Sequence, residues 1–114
     1  MLGEIKVVNI KKFDEKEHPE AACVNIMRPN PLGNPFFMDG EEQREIVIRK
    51  FYHYLRKEYA KKDTVYNELM KLVEILKSGK DVYLICCCAP KLCHGNIIQN
   101  AVEGIIRNES KKKN

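Results

Sequence analysis

The chain has 114 residues, 44% of them hydrophobic and 32% charged, enough for one folded domain with one core and too few for two. Its net charge of +4 is concentrated in Lys111, Lys112 and Lys113, and the remaining 17 basic and 16 acidic side chains nearly cancel. A body so balanced lacks the footprint of a nucleic-acid binder, and no apolar run approaches the roughly 18–20 residues of a membrane span, so neither partner is expected.

The first twenty residues are charged throughout and show no signal-peptide pattern. Five cysteines, an odd number, do not suit a disulfide framework. The expectation is a cytoplasmic protein whose cysteines are thiols, metal ligands or small packing residues.

Residues 4–10 (EIKVVNI) are rich in β-branched side chains and predict a first strand. Residues 11–21 are charged, contain His18-Pro19, and predict an exposed loop. Residues 23–27 (CVNIM) predict a short second strand, with Cys23 packed in it. Residues 28–37 (RPNPLGNPFF) hold three prolines and a glycine, which neither a helix nor a central strand accepts. Leu32, Phe36 and Phe37 predict that this stiff loop packs on the body. Arg28, Asn30 and Asn34 are the polar groups it can offer a ligand, and Gly33 would allow close approach to its backbone.

Asp39 predicts an N-cap with Glu42 as its capping-box partner. The helix that follows carries Val47, Ile48, Phe51, Tyr52, Leu55 and Tyr59 as one apolar stripe, with His53 on the solvated face. Residues 60–62 join it to a second helix, capped by Asp63 or Thr64. Val65, Leu69, Leu72, Val73 and Leu76 form its inner face, and Ser78-Gly79 ends it.

Residues 81–96 (DVYLICCCAPKLCHGN) are the organising stretch. They predict a buried strand over 82–87, a turn with Cys88, Ala89 and Pro90, and a helix over about 93–107 with Ile97, Ile98, Ala101, Val102, Ile105 and Ile106 buried. The order β-β-loop-α-α-β-α predicts a small single-domain α/β fold, a Rossmann-like sheet with flanking helices over residues 1–107. Its third strand should lie parallel to one of the first two. Residues 108–114 are expected as a polar basic tail. No G-x-G-x-x-G or Walker pattern is present, so any nucleotide binding must use other groups. Tyr and Ile side chains on the helices would suit a homo-oligomer seam as well as a core.

Strand alternation would put Cys86 and Cys88 on one face and Cys87 in the core on the other. Three readings of the cluster stand side by side. In the first, the amides of Cys93, His94, Gly95 and Asn96 hold a phosphate at the helix N-terminus, and His94 bonds the ligand. In the second, Cys93 is a nucleophile of a cysteine-dependent hydrolase or transferase, with His94 the other catalytic candidate. His94, its sequence neighbour, points about 100° away and is a poor base for it. In the third, Cys86, Cys88, Cys93 and His94 bind zinc in a structural or protein-interaction module, although the spacing is not a common finger pattern.

Arg28, the run from Pro31 to Phe36, Arg44, Tyr54-Leu55, and then Cys86, Cys88, Pro90, Cys93, His94 and Gly95 together resemble the bacterial and phage proteins grouped as domain-of-unknown-function family 4326. Members usually carry Trp where this chain has Cys87. The resemblance implies a Rossmann-like domain that binds nucleotides or molecules derived from them, with Arg28, Asn34, Arg44, Cys93 and His94 around the pocket. The function expected is binding, and in one version processing, of a nucleotide-like phosphorylated small molecule between the 28–37 loop and the 88–96 turn.

Overall fold

The apolar run VYLIC becomes strand β3 (Val82–Cys86) and takes the centre of a parallel sheet, with β1 (Ile5–Asn9) on one side and β2 (Ala22–Asn25) on the other. The expected parallel pairing with one earlier strand is thus made with both. Helices α1 (Arg44–Ala60) and α2 (Thr64–Lys77) connect β2 to β3, and α3 (His94–Lys112) follows β3. This computed structural model describes residues 1–89 and 91–112, the last three as backbone alone. Pro90, expected in the turn, and Lys113 lie outside the described residues.

Register sorts the two faces of the sheet. Ile5, Val82 and Ala22 form one row, and Val7, Leu84 and Val24 the next. Both rows face the helices and share a core with Ile26, Phe51, Leu69, Leu72 and Ile98. The alternate residues Lys6, Tyr83 and Cys23 point to the other face. The β1–β2 connection crosses that face as the expected, mostly exposed loop, and folds two of its side chains back onto it. The rings of Phe13 and His18 stack 5.1 Å apart, and each packs on Tyr83, at 4.8 and 4.7 Å.

The inner face of α2 is as expected, with Val65, Leu69, Leu72, Val73 and Leu76 all buried. Gly79 closes that helix at φ +94°, donating its N–H to the Leu76 carbonyl at 3.0 Å. A side chain is strained at such an angle. Gly79→Ala is therefore expected to cost about 1–2 kcal/mol, read as a lower urea midpoint with an unchanged slope. An unmoved midpoint would refute the left-handed cap.

Four expectations are corrected. The Asp39–Glu42 capping box does not form, because a 3-10 turn (Glu41–Gln43) delays α1 and carries Asp39 away from its first amides. Gln43 instead accepts the Asp39 N–H at 3.1 Å. Tyr52 is exposed beside Arg56, at the edge of the apolar stripe. Cys87 is exposed because β3 stops one residue earlier than expected. Helix α3 runs to Lys112, through most of the expected tail, where Glu109 pairs with Lys77 of α2 at 3.0 Å. Among the described residues no helix is long and apolar enough to cross a membrane.

Candidate functional site

A cavity of about 460 Å³ opens where β2 and β3 end, the edge at which parallel sheets commonly bind ligands. The loop after β2 supplies Met27, Arg28, Asn34, Phe36, Phe37 and Met38 to its wall. The start of α1 adds Arg44, Val47 and Ile48, and the β3–α3 turn adds Cys87, Cys88, Cys93 and His94. The structure therefore brings together Arg28, Asn34, Arg44, Cys88, Cys93 and His94 from the sequence-derived set. Leu32 is buried and Phe36 packs edge-on against Tyr54 at 5.9 Å, so the loop is anchored as expected. Phe37 is not an anchor; it is exposed.

The other four candidates shape the backbone without lining the cavity. The Asn30 side chain accepts the Leu32 N–H at 2.8 Å and its carbonyl accepts the Gly33 N–H at 2.7 Å. A Cβ on Gly33 would stand 2.9 Å from that carbonyl oxygen, so its close neighbour is the loop itself. A Cβ on Gly95 would meet Ile26 and Val7 at 2.9 and 3.0 Å, which makes Gly95 the point where α3 seats on the sheet. Asn96 turns back to accept the Cys93 N–H at 2.9 Å, and its own N–H goes to the Cys93 carbonyl. Of the four amides at the start of α3, those of Cys93 and Asn96 are therefore already hydrogen-bonded within the chain.

Polar groups from the loop and α1 face the cavity. The Arg28 guanidinium lies 4.0 Å above the Phe37 ring, a cation–π contact, and has no ion-pair partner among the described residues. Asn34 accepts the Phe36 N–H through Oδ1 at 2.9 Å, leaving its amide nitrogen to donate. Arg44 makes a two-pronged pair with Glu41, at 2.9 and 2.7 Å, and donates to the Leu92 carbonyl at 3.0 Å. Arg44 and Lys91 together hold the Glu41 carboxyl down to about 2. This clamp fixes the turn after β3 to the start of α1. Glu41 escaped the sequence reading, although its i,i+3 spacing from Arg44 was a usable signal.

His94 is buried, and its Nε2 donates to the Ile26 carbonyl at 2.8 Å. Burial, helped by the charge of Arg28, pushes its pKa down. The ring is therefore neutral near pH 7, with the lone pair on Nδ1. Phe51 meets it edge-on at 5.2 Å. His94 thus tethers α3 to the end of β2 through Nε2 while its ring lines the cavity.

The sulfurs of Cys86 and Cys93 lie 3.4 Å apart, both buried. Hydrogen bonding from Cys93, assisted by the backbone amides of Cys88 and Ala89, holds the Cys86 thiol below its ordinary value against its burial. Cys93 is pushed up by sharing that proton and by burial. The pair titrates as a unit. Cys93 therefore has a thiol and not a base as its partner. Among the described residues no three His, Cys, Asp or Glu side chains stand where one metal ion would join them.

No curated protein and no solved structure matches the chain. The family model that does match, described as a domain of unknown function (DUF4326), covers residues 8–104, from β1 through most of α3 and including every residue of the cavity wall. The chain therefore belongs to the DUF4326 family of domains of unknown function.

Proposed function

We propose that this domain binds a nucleotide, or a phosphorylated small molecule derived from one, in the cavity between the 28–37 loop and the 88–96 turn of a cytoplasmic protein. The observation that carries this reading is the makeup of the wall. Two guanidinium groups, Arg28 and Arg44, face a lining that is otherwise uncharged and without a carboxylate among the described residues. Arg44 is already neutralised by Glu41, so Arg28 is the cation left for an anionic group. Guanidinium is suited to that task because its planar fork matches phosphate oxygens in pairs. Phe36, Met38 and Ile48 supply an apolar wall for a flat ring, and the amide of Asn34 supplies a donor for its edge. The volume lies in the roughly 300–1,000 Å³ range of small-molecule sites.

The same contacts favour binding over turnover. Catalysis of bond cleavage calls for an acid or base in reach of the ligand. Here, among the described residues, no carboxylate lines the wall, and Nε2 of His94 is committed to Ile26.

Titration calorimetry with AMP, GMP, CMP, UMP and inorganic phosphate tests the reading. At least one nucleotide is expected to bind, and more tightly than phosphate alone. Arg28→Ala should weaken that binding by about tenfold or more, as loss of a charge-assisted hydrogen bond worth about 1.5–3 kcal/mol implies. Its thermal midpoint should barely change, because Arg28 is exposed. Silence toward all four nucleotides at millimolar concentration would sink the proposal, as would equal affinity of Arg28→Ala and the native chain.

A further inference from the structure

We propose that Cys86 and Cys93 are a redox-active dithiol at the floor of the cavity, converted to an intramolecular disulfide by exchange with a small anionic disulfide that enters past Arg28. The inference does not depend on the nucleotide reading, and uses only the geometry of the two thiols and the charge of the wall.

Among the described cysteines this pair is the one in sulfur–sulfur contact, at 3.4 Å. A disulfide bond is about 2.05 Å long, so the sulfurs need approach by only roughly 1.4 Å. The two thiols also divide the labour of exchange. Cys93 lines the cavity, whereas Cys86 lies behind it and does not. The sulfur that meets a substrate and the sulfur that resolves the adduct are therefore distinct. Cys88 is half-buried in the turn, and Cys87 is exposed at the rim. Among the described residues no lining carboxylate repels an anionic substrate, and Arg28 attracts one.

The chemistry balances without a further reagent. The shared proton passes across the 3.4 Å contact to Cys86, and the Cys93 thiolate so formed attacks one sulfur of the substrate RS–SR, whose S–S bond breaks, and RS⁻ leaves. The Cys86 thiolate then attacks Cys93 Sγ in the mixed disulfide and expels the second RS⁻. Two protons pass from the protein thiols to the two leaving thiolates. The protein is oxidised by two electrons and RS–SR is reduced to two RSH.

The full chain incubated with oxidised glutathione, then alkylated in acid and digested with trypsin, gives a direct readout. The expected product joins peptide 81–91 to peptide 92–107 through Cys86 and Cys93, leaving Cys23, Cys87 and Cys88 alkylated. Cys87→Ser and Cys88→Ser should form the same link, whereas Cys86→Ser should stall with glutathione on Cys93. Cystamine, a cationic disulfide of similar reactivity, should react at least tenfold more slowly at low salt, and Arg28→Ala should shrink that difference. A link from Cys88 to Cys93, or glutathione carried only by Cys87, would overturn the assignment. So would one zinc ion per purified chain that blocks the reaction until chelated. Equal rates for the two disulfides would overturn the anionic substrate class. Because Cys87→Ser and Cys88→Ser leave the buried pair intact, a failure of Cys86→Ser to fold does not remove the test.

Discussion

Phe51→Ala is expected to destabilise the domain by roughly 3–5 kcal/mol, a large share of the about 5–15 kcal/mol that holds a typical domain together. Phe51 is fully buried on the inner face of α1, and its ring is the hinge pin between the core and the cavity. It packs against Tyr54 at 5.9 Å, which in turn meets Phe36 of the 28–37 loop, and against His94 at 5.2 Å. Removing the ring opens a void among side chains fixed by three different elements, so little can collapse to fill it. Urea denaturation followed by circular dichroism measures the loss. A cost under about 1.5 kcal/mol, of the size seen for volume-conserving swaps, would mean that the loop and α3 close over the gap. Phe51→Leu should recover most of the stability while leaving the aromatic contact to His94 absent.

What was legible in the sequence follows from the range of the interactions involved. The inner face of α2 could be read residue by residue, because helical period is a local property and Val65, Leu69, Leu72, Val73 and Leu76 repeat at it. The central place of β3 was legible for a similar reason, since only a strand covered on both faces tolerates VYLIC. The pocket was legible as two segments, and Arg28, Asn34, Arg44, Cys88, Cys93 and His94 do line one cavity. Their individual roles were not legible. The partner of His94 is a carbonyl 68 positions earlier in the chain, and no spacing rule reaches that far. The fate of Cys87 hinged on where β3 stops, which depends on its neighbours in the sheet. Alternation assigned Cys86 and Cys88 to one face, but the strand ends at Cys86, and the thiol that meets Cys86 is Cys93, brought back by the turn into α3. The roof of Phe13 and His18 over Tyr83 was hidden because a charged, proline-containing segment carries no periodicity to announce it.

His94→Ala should lower stability by an amount comparable to a core truncation, with any loss of ligand binding arising secondarily. The substitution removes the donor to the Ile26 carbonyl, and a buried acceptor left unpaired costs about 1–3 kcal/mol, to which the lost packing against Phe51 adds. The same burial makes the native chain sensitive to acid. In the unfolded chain the imidazole takes up a proton near its ordinary value of 6.5, whereas in the fold that value is lowered, first by desolvation and then by Arg28. Between the two values the unfolded state binds more protons, so stability rises with pH there. The contribution of the neutral ring is thus complete above about 6.5 and drains as pH falls below it, by up to about 1.4 kcal/mol per pH unit. His94→Gln keeps an amide donor and cannot titrate. Subtracting its stability profile from that of the native chain between pH 7 and 5 isolates this ring from Glu41 and from the Cys86–Cys93 pair, which both proteins share. The difference should shrink steadily toward acid. A difference that stays constant across that interval would show that the ring titrates alike in both states, and the tether between α3 and β2 would then have to be sought in the packing against Phe51 alone.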